Sequence, residues 1–296
     1  MIESARGACS PLMPAFGWSG IRPVCVGIMT HTNPTIPFTK ASACGNDFLI
    51  APVSAAIGGL AELSRRLCDR HNGIGADGVE WLCNDPEADA MARLFNADGS
   101  EAEISGNGTR CVAAEICSRT QKQEVTIRTG AGLKMCRLIT RQDSIFEFET
   151  AMGEAEVGEQ LALSLGRAKP ERVLGLRVSM GNPHFVVLVE SFPKEWQLDA
   201  ALIQAQQAQF PQGINVEYVV VRGPHEIEIR LFERGVGETQ SSGTGSCASA
   251  VAAISSSRVT SPVSVIAPGG TQTVSWEDQV YLRGPATIIC RGEAFI

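Results

Sequence analysis

The sequence predicts an α+β fold built from two similar lobes, and three observations support this class. Short β-rich runs separated by turn residues extend from Ile36 to the C-terminus, while segments of helical length are few. The 296 residues correspond to about two domains at roughly 150 residues per domain. An internal repeat relates the two halves of the chain and therefore implies a pair of similar lobes.

The predicted secondary structure follows from the local spacing of apolar and turn residues. From Glu226 to Phe232 charged and apolar side chains alternate, which is typical of a half-buried antiparallel strand. Similar runs predict strands at residues 36–40, 48–51, 79–82, 91–95, 124–128, 133–138, 145–149, 172–179, 185–189, 215–221 and 226–232, with three short strands after them. Length and composition predict helices at residues 60–70, 108–118, 196–209 and 245–255.

The internal repeat relates one half of the chain to the other at a nearly constant offset. Gly45 in Gly45-Asn-Asp corresponds to Gly181 in Gly181-Asn-Pro, and these residue numbers differ by 136. Ser105 and Ser242, which begin the sequences Ser-Gly-Asn-Gly and Ser-Gly-Thr-Gly, differ by 137. A single insertion therefore aligns about sixty residues of the two halves. We expect the two serine-glycine turns to face each other across one cleft, where small ligands usually bind.

Each serine-glycine turn leads from a strand into a helix of small residues. Free N–H groups and the positive end of the helix dipole suit a carboxylate ligand at such a position. Serine is also a common N-cap residue, and capping is the better explanation of Ser105 or Ser242 taken singly. The presence of the same glycine-flanked serine in both halves favours a ligand cradle formed by the two turns.

Composition and charge exclude several classes of protein. The 25 basic and 32 acidic residues give a net charge of -7, so no broad basic face is expected for a nucleic acid. No apolar run reaches the roughly 18 residues that a membrane span requires. The ten cysteines form no C-x-x-C pair and the four histidines show no zinc-type spacing, so we expect reduced thiols, a cytoplasmic location and no metal site.

Two other segments could be mistaken for a signal peptide and for a dinucleotide-binding turn. Prolines and glycines in residues 1–35 break any signal-type apolar segment, so we predict a disordered N-terminal extension, with Met29 as a second possible start. Gly73-Ile-Gly-Ala-Asp-Gly matches the G-x-G-x-x-G pattern, but it follows a helical segment and enters a strand. That order is the reverse of a dinucleotide-binding turn, so we expect neither NAD nor another cofactor.

Seven segments of the chain resemble the diaminopimelate epimerase family. They are Gly45-Asn-Asp, Cys68-Asp-Arg-His-Asn-Gly-Ile-Gly-Ala-Asp-Gly, Phe95-Asn-Ala-Asp-Gly-Ser-Glu, Gly106-Asn-Gly-Thr-Arg-Cys, Ser179-Met-Gly-Asn-Pro-His, Asn215-Val and Glu233-Arg-Gly-Val-Gly-Glu-Thr-Gln. The resemblance extends from about Phe38 to the C-terminus. It implies a pyridoxal-independent homodimer that converts LL- to meso-diaminopimelate for lysine and peptidoglycan biosynthesis. In this family one thiolate removes the α-proton and a thiol on the opposite face returns one.

The chain departs from the family at both catalytic positions, because Ser105 and Ser242 stand where the family has cysteines. A cysteine has a reference pKa near 8.5, and a helix N-terminus lowers it further, whereas a serine hydroxyl needs an adjacent base. The resemblance implies His184 and Glu233 as neighbours of the two positions. From the residues alone, His184 is equally explained as a buried, hydrogen-bonded histidine. Glu233 is also explained as a surface partner of Arg234, but its position after a strand and before a glycine-rich loop favours a functional role.

The resemblance also implies a nearly complete set of substrate-binding residues. Side-chain amides suit a zwitterion because each offers both a donor and an acceptor. The implied binding residues are Asn46, Asn96, Asn182 and Asn215 as amide ligands, Gly106, Asn107, Gly243 and Thr244 as a backbone cradle, Arg234 as the carboxylate ligand, Glu233 beside it, and Asp77 as a further polar contact.

Three functional hypotheses remain open on the sequence. The first is an amino-acid epimerase of the diaminopimelate type, either with both thiols removed by engineering or with little activity on serine. The second is a non-catalytic paralog that still binds an amino acid. The third is another isomerase or dehydratase on the same scaffold, with Glu233 or His184 as the base. In all three we predict two pseudo-symmetric lobes, each a mixed, mostly antiparallel sheet around a central helix, at residues 36–150 with 285–296 and at residues 151–284.

Overall fold

A computed structural model describes residues 34–166 and 172–296. The predicted N-terminal extension, with Met29, lies outside the described residues up to position 33, and Thr35 already belongs to the first strand. No helix among the described residues is long and apolar enough to cross a membrane.

The described residues form four α-helices and seventeen strands. The helices are α1 (Leu60–Cys68), α2 (Gly106–Arg119), α3 (Trp196–Gln204) and α4 (Gly243–Ser255). The strands are β1 (Thr35–Ala43), β2 (Asn46–Pro52), β3 (Gly78–Cys83), β4 (Ala90–Asn96), β5 (Glu101–Ala102), β6 (Glu124–Thr129), β7 (Gly132–Gln142), β8 (Ile145–Gly153), β9 (Glu156–Ser164), β10 (Arg172–Ser179), β11 (Pro183–Val189), β12 (Asn215–Gly223), β13 (Glu226–Glu233), β14 (Gly237–Thr239), β15 (Val263–Ala267), β16 (Gly270–Trp276) and β17 (Val280–Phe295).

Two elements differ from the sequence prediction for identifiable reasons. Helix α3 ends at Gln204 instead of residue 209, because the following amides of Gln206 and Gln207 donate to Ile203 and Ala205 in tight turns. The C-terminal strand β17 is a single strand of 16 residues, not a short one. Its Gly284-Pro285 sequence is typical of a turn, but it lies within the strand, where a Cβ on Gly284 would come within 3.2 Å of the Arg110 guanidinium.

The strand pairing confirms the predicted fold class. The pairs β2–β3, β4–β6, β11–β12 and β13–β15 are parallel, and the other pairs among the described strands are antiparallel. Helices α2 and α4 each lie inside a separate apolar cluster and are buried along most of their length. The sheet is therefore mixed and mostly antiparallel, and it surrounds two central helices.

The structure reproduces the internal repeat element by element. Helices α2 and α4 begin at residues 106 and 243, and strands β3 and β12 begin at residues 78 and 215, so both pairs differ by 137. The parallel pairs also correspond, β2–β3 with β11–β12 and β4–β6 with β13–β15. Strand β17 pairs with β16 at its start and with β1 at its end. We retain residues 36–150 with 285–296, and 151–284, as the proposed lobe boundaries.

The turn before β2 packs directly on the hairpin between β15 and β16. Cys44 and Gly45 have positive φ angles of 46° and 87°. A Cβ on Gly269 would lie 2.2 Å from the Cys44 carbonyl oxygen, and a Cβ on Gly45 would lie 2.8 Å from the Gly269 Cα. Backbone therefore touches backbone at this junction, which places Asn46 beside the second half of the chain.

We expect Gly269→Ala to lower the free energy of unfolding by about 1–3 kcal/mol, because its methyl group overlaps the Cys44 carbonyl. Gly59→Ala is the matched control, since Gly59 has a φ of -79° and no atom near its missing Cβ. Denaturant unfolding of the two variants measures the difference. Equal stabilities would show that the two turns do not pack as described.

Candidate active site

Ser105 and Ser242 are the N-cap residues of the two central helices. The Ser105 Oγ accepts from the Gly108 N–H at 3.1 Å, and the Ser242 Oγ accepts from the Gly245 N–H at 3.3 Å. Both serines are half-buried. The capping interpretation of these serines therefore holds, and it leaves the role of their hydroxyl protons open.

The remaining amides of each first helical turn point beyond the helix without an acceptor. Among the described residues, none accepts from the N–H groups of Gly106 and Asn107 in α2 or of Gly243 and Thr244 in α4. Unpaired amides at a helix N-terminus, together with the helix dipole, bind carboxylates. Each helix thus offers a ready anion site next to its serine.

In the first half of the chain, side-chain amides connect α2 to the start of β3. The Asn107 Nδ2 donates to the Asn46 Oδ1 at 2.7 Å, and the Asn46 Nδ2 donates to the Asp77 Oδ2 at 3.0 Å. Arg70 in turn pairs with Asp77 and Asp47, both at 2.7 Å. These contacts fix the orientation of the amides that border the helix N-terminus.

Asp47 is held ionised although it is partly buried. Burial raises its pKa, but hydrogen bonds and charge from Arg70 and Lys40 outweigh burial and hold the pKa below its usual value. Lys40 lies 3.0 Å from the carboxylate. The first half-site is therefore bordered by a paired, charge-balanced cluster and has no free acidic group at Asp47.

In the second half, a buried hydrogen-bonded chain runs from the sheet to α4. The His184 Nδ1 lies 2.7 Å from the Glu217 Oε1, and both side chains are 1% exposed. The His184 Nε2 lies 3.0 Å from the Asn182 Oδ1, and the Asn182 Nδ2 donates to the Thr244 Oγ1 at 3.3 Å. Each ring nitrogen of His184 therefore faces an oxygen, that of Asn182 on one side and that of Glu217 on the other.

Asn215 and Arg234 are joined at the end of β13. The Arg234 N–H donates to the Asn215 Oδ1 at 2.9 Å, and the Asn215 Nδ2 donates to the Pro183 carbonyl at 3.1 Å. The Arg234 guanidinium donates to the Gln212 carbonyl and is exposed. Its remaining donors are thus available to a carboxylate.

The two half-sites meet through the first turn of α2. The Asn107 Nδ2 donates to the Ser241 Oγ at 3.3 Å, and Ser241 directly precedes the cap of α4. Arg110, which is 1% exposed, donates to the Asn107 Oδ1 and, through Nε at 3.3 Å, to the Pro285 carbonyl. A buried guanidinium therefore holds Asn107 at the junction of the two lobes.

Some predicted residues are not brought into these networks. Asn96 donates to Ser100 within its own turn at 3.0 Å and is exposed, although the next amide, of Ala97, donates to the Asp77 carbonyl at 3.0 Å. Glu233 accepts from Thr239 at 2.8 Å. No hydrogen bond joins Ser105 and Ser242 within the described residues. The facing of the two serines, and the predicted roles of all these site residues, remain predictions.

Two buried carboxyl groups were missed by the sequence analysis. A Cβ on Gly108 would lie 2.1 Å from the Glu80 Oε1, and a Cβ on Gly245 would lie 3.1 Å from the Glu217 Oε1. Residue numbers 80 and 217 differ by 137, so the repeat itself was the signal that would have paired them. Burial raises the pKa of Glu80 to about 8. Burial also raises the pKa of Glu217, against the opposing effect of His184.

A cavity of about 380 Å³ lies next to the hydrogen-bonded chain that contains His184. His184 and Pro183 line it together with the loop at residues 209–214, and neither Ser105 nor Ser242 does. Among the described residues, no group of three or more His, Cys, Asp or Glu side chains is placed to hold a metal ion.

Comparison with known proteins identifies relatives along most of the chain. The family model described as diaminopimelate epimerase matches residues 38–157 and 176–289. The chain is 36% identical to a diaminopimelate epimerase of Pelotomaculum thermopropionicum, over 86% of this chain and 98% of that protein. It is 37% identical to a diaminopimelate epimerase of Elusimicrobium minutum, again over 86% and 98%.

Solved structures share the fold at low sequence identity. A PhzF-family phenazine biosynthesis protein of Bacillus anthracis has a TM-score of 0.65 at 16% identity, over 88% of this chain and 99% of that chain. A hydroxyproline epimerase from Agrobacterium vitis, with trans-4-hydroxy-L-proline bound, has a TM-score of 0.63 at 15% identity, over 88% and 92%. The predicted resemblance is confirmed by the family match and the curated relatives: the chain belongs to the diaminopimelate epimerase family.

Proposed function

We propose that the chain is a cofactor-independent amino-acid epimerase that interconverts LL- and meso-diaminopimelate. The observation that carries this proposal is the pair of serine-capped helix N-termini, each with unpaired amides and each linked to asparagine side chains at the family's binding positions. Family membership supports an isomerase. The substrate is proposed from the names of the relatives and from the fit of the site to a zwitterion.

The proposed binding mode combines neutral donors at the two helix N-termini with one cationic side chain, that of Arg234. The amides of Gly106 and Asn107, and those of Gly243 and Thr244, would hold carboxylate oxygens at the two helix N-termini. Asn46 and Asn182 each border one helix and offer an acceptor to an ammonium group. The exposed Arg234 guanidinium suits the distal carboxylate of a diacid.

The proposed chemistry is removal of the α-proton on one face and its return on the other. The C–H bond breaks as an acceptor oxygen or nitrogen gains the proton, and an O–H or N–H on the opposite face then donates one to the carbanion. Ser105 and Ser242 would line the two faces. His184 with Glu217 and, at the end of β13, Glu233 would exchange protons with Ser242. Because a hydroxyl is a much weaker acid than a thiol, we expect slower turnover than a cysteine pair would give.

The direct test is solvent exchange at the α-carbon. In deuterium oxide, LL- and meso-diaminopimelate should each acquire deuterium at the reacting α-carbon and interconvert, whereas lysine, which lacks the second carboxylate, should react poorly. Proton NMR with chiral chromatography measures both events. Exchange that is absent with both isomers would contradict the proposed function.

Replacing both serines by cysteine should raise the exchange rate. In Ser105→Cys/Ser242→Cys, the helix N-termini lower the thiol pKa values and supply thiolate near neutrality, so we expect a gain of roughly 10²-fold or more. Ser256→Cys is the control for an added thiol, because Ser256 is exposed at the opposite end of α4, and it should leave the rate unchanged. A double variant no faster than the wild type would show that the surrounding site has diverged from thiol-based epimerisation.

A second candidate function is amino-acid binding without catalysis. It is favoured by the capping geometry, because both hydroxyl oxygens already accept from backbone amides and neither hydroxyl contacts a described base. Tight calorimetric binding of diaminopimelate without deuterium exchange would support it over the epimerase.

We further propose a cytoplasmic homodimer that acts in lysine biosynthesis. Support comes from the names of the relatives and, for assembly, from exposed apolar side chains at Leu133, Met135 and Ile145 on the hairpin of β7 and β8. Light scattering of the purified protein decides between monomer and dimer.

A further inference from the structure

Glu80 is a carboxyl group placed among apolar side chains beneath α2. Its register partners on the neighbouring strands are Ile50 and Leu94, which both belong to the apolar cluster around α2. Glu80 is 3% exposed. Within residues 34–166 and 172–296 it makes no hydrogen bond and no ion pair. A buried carboxyl group without a partner destabilises a fold, so its presence calls for another explanation.

The carboxyl group points at the first turn of α2, close to Ser105. The position of a Cβ on Gly108 lies 2.1 Å from the Glu80 Oε1 and 3.3 Å from the Ser105 Cβ. The Glu80 Oε1 and the Ser105 Cβ therefore lie at most 5.4 Å apart. Side chains this close can exchange a proton directly or through one bridging water molecule. The Ser105 oxygen accepts from the Gly108 N–H, so its own proton remains free to be donated.

The second lobe has a carboxyl group at the same place in the repeat. Glu217 is paired in register with Val186 and Leu231, and its Oε1 and the Ser242 Cβ lie 3.1 and 3.2 Å from the Cβ position of Gly245. The two carboxyl groups differ in whether they have a hydrogen-bond partner. Glu217 is hydrogen-bonded to His184, whereas Glu80 has none among the described residues.

The surroundings of Glu80 determine its protonation state. Apolar side chains face Glu80 from β2 and β4. On α2 its titratable neighbour is Cys111, and a negative charge on Glu80 raises the pKa of that thiol. Burial raises the pKa of Glu80 to about 8, and no cation among the described residues opposes this effect, so the group holds its proton at neutral pH and can release it within the working range.

We propose that Glu80 is the proton-holding group of the first lobe and exchanges one proton with Ser105 during the reaction. This inference rests on the proposed epimerase function. In one direction, the Ser105 O–H bond breaks as its proton moves to the substrate carbanion, and the Glu80 carboxylic acid replaces that proton on the serine oxygen. In the other direction, the serine oxygen gains the α-proton while its own proton moves to the Glu80 carboxylate. Glu80 acts through Ser105 and does not touch the substrate.

The test is the pH dependence of α-proton exchange in Glu80→Gln, which keeps the shape of the side chain but cannot ionise. With diaminopimelate as the probe, we expect the exchange rate to fall roughly 100-fold or more. The wild-type pH profile should contain a titration near pH 8 that the variant lacks. Glu115→Gln is the matched control. Glu115 is a buried carboxylate on α2, and it pairs with Arg119 and Arg291. Its rate and profile should match the wild type.

Glu80→Met separates this role from a structural one. An unbranched apolar side chain fits the layer of Ile50 and Leu94, so removal of the buried acid should raise the melting temperature while exchange is lost. A lower melting temperature for Glu80→Met, or an unchanged rate and pH profile in Glu80→Gln, would overturn the inference and leave the epimerase function standing. Absence of exchange in the wild type would overturn the proposed function and, with it, this inference.

Discussion

The hydrogen bond between the Asn107 side chain and the Ser241 hydroxyl brings the N-termini of two buried helices together. Asn107 is the second residue of α2, and Ser241 directly precedes the cap of α4. Arg110 holds Asn107 from inside the junction, and the contact between Cys44 and Gly269 brings the neighbouring turns into backbone contact. The organisation of the candidate site follows from this junction, because every proposed ligand group is attached to one of the two helices or to a strand that packs on it.

The chain has a negative net charge, but the proposed ligand groups at the helix N-termini are neutral. The protein carries a net charge of -7, yet the ligand groups at the helix N-termini are neutral amides and helix dipoles. Three nearby carboxyl groups are compensated: Asp47 is balanced by Arg70 and Lys40, and Glu80 and Glu217 are buried with raised pKa values. Glu233, which accepts from Thr239, is the acidic group of the site that no cation balances among the described residues.

The sequence predicted the parts of this arrangement that depend on local chemistry. Serine followed by glycine marked the starts of α2 and α4, and the repeat predicted two similar lobes with central helices. Long-range contacts were not predictable in the same way. Gly284-Pro285 is typical of a turn, and only its packing on Arg110 shows why the strand continues. Glu80 occupies an ordinary strand position, and its burial depends on strands β2 and β4 and on α2 together.

The facing of Ser105 and Ser242 is the central claim, and a crystal structure with meso-diaminopimelate bound tests it most directly. We expect one α-carbon between the two serine oxygens, on opposite faces, with its carboxylate on the free amides of Gly106 and Asn107 or of Gly243 and Thr244. A ligand bound elsewhere, or two serines on the same side of the α-carbon, would contradict the account.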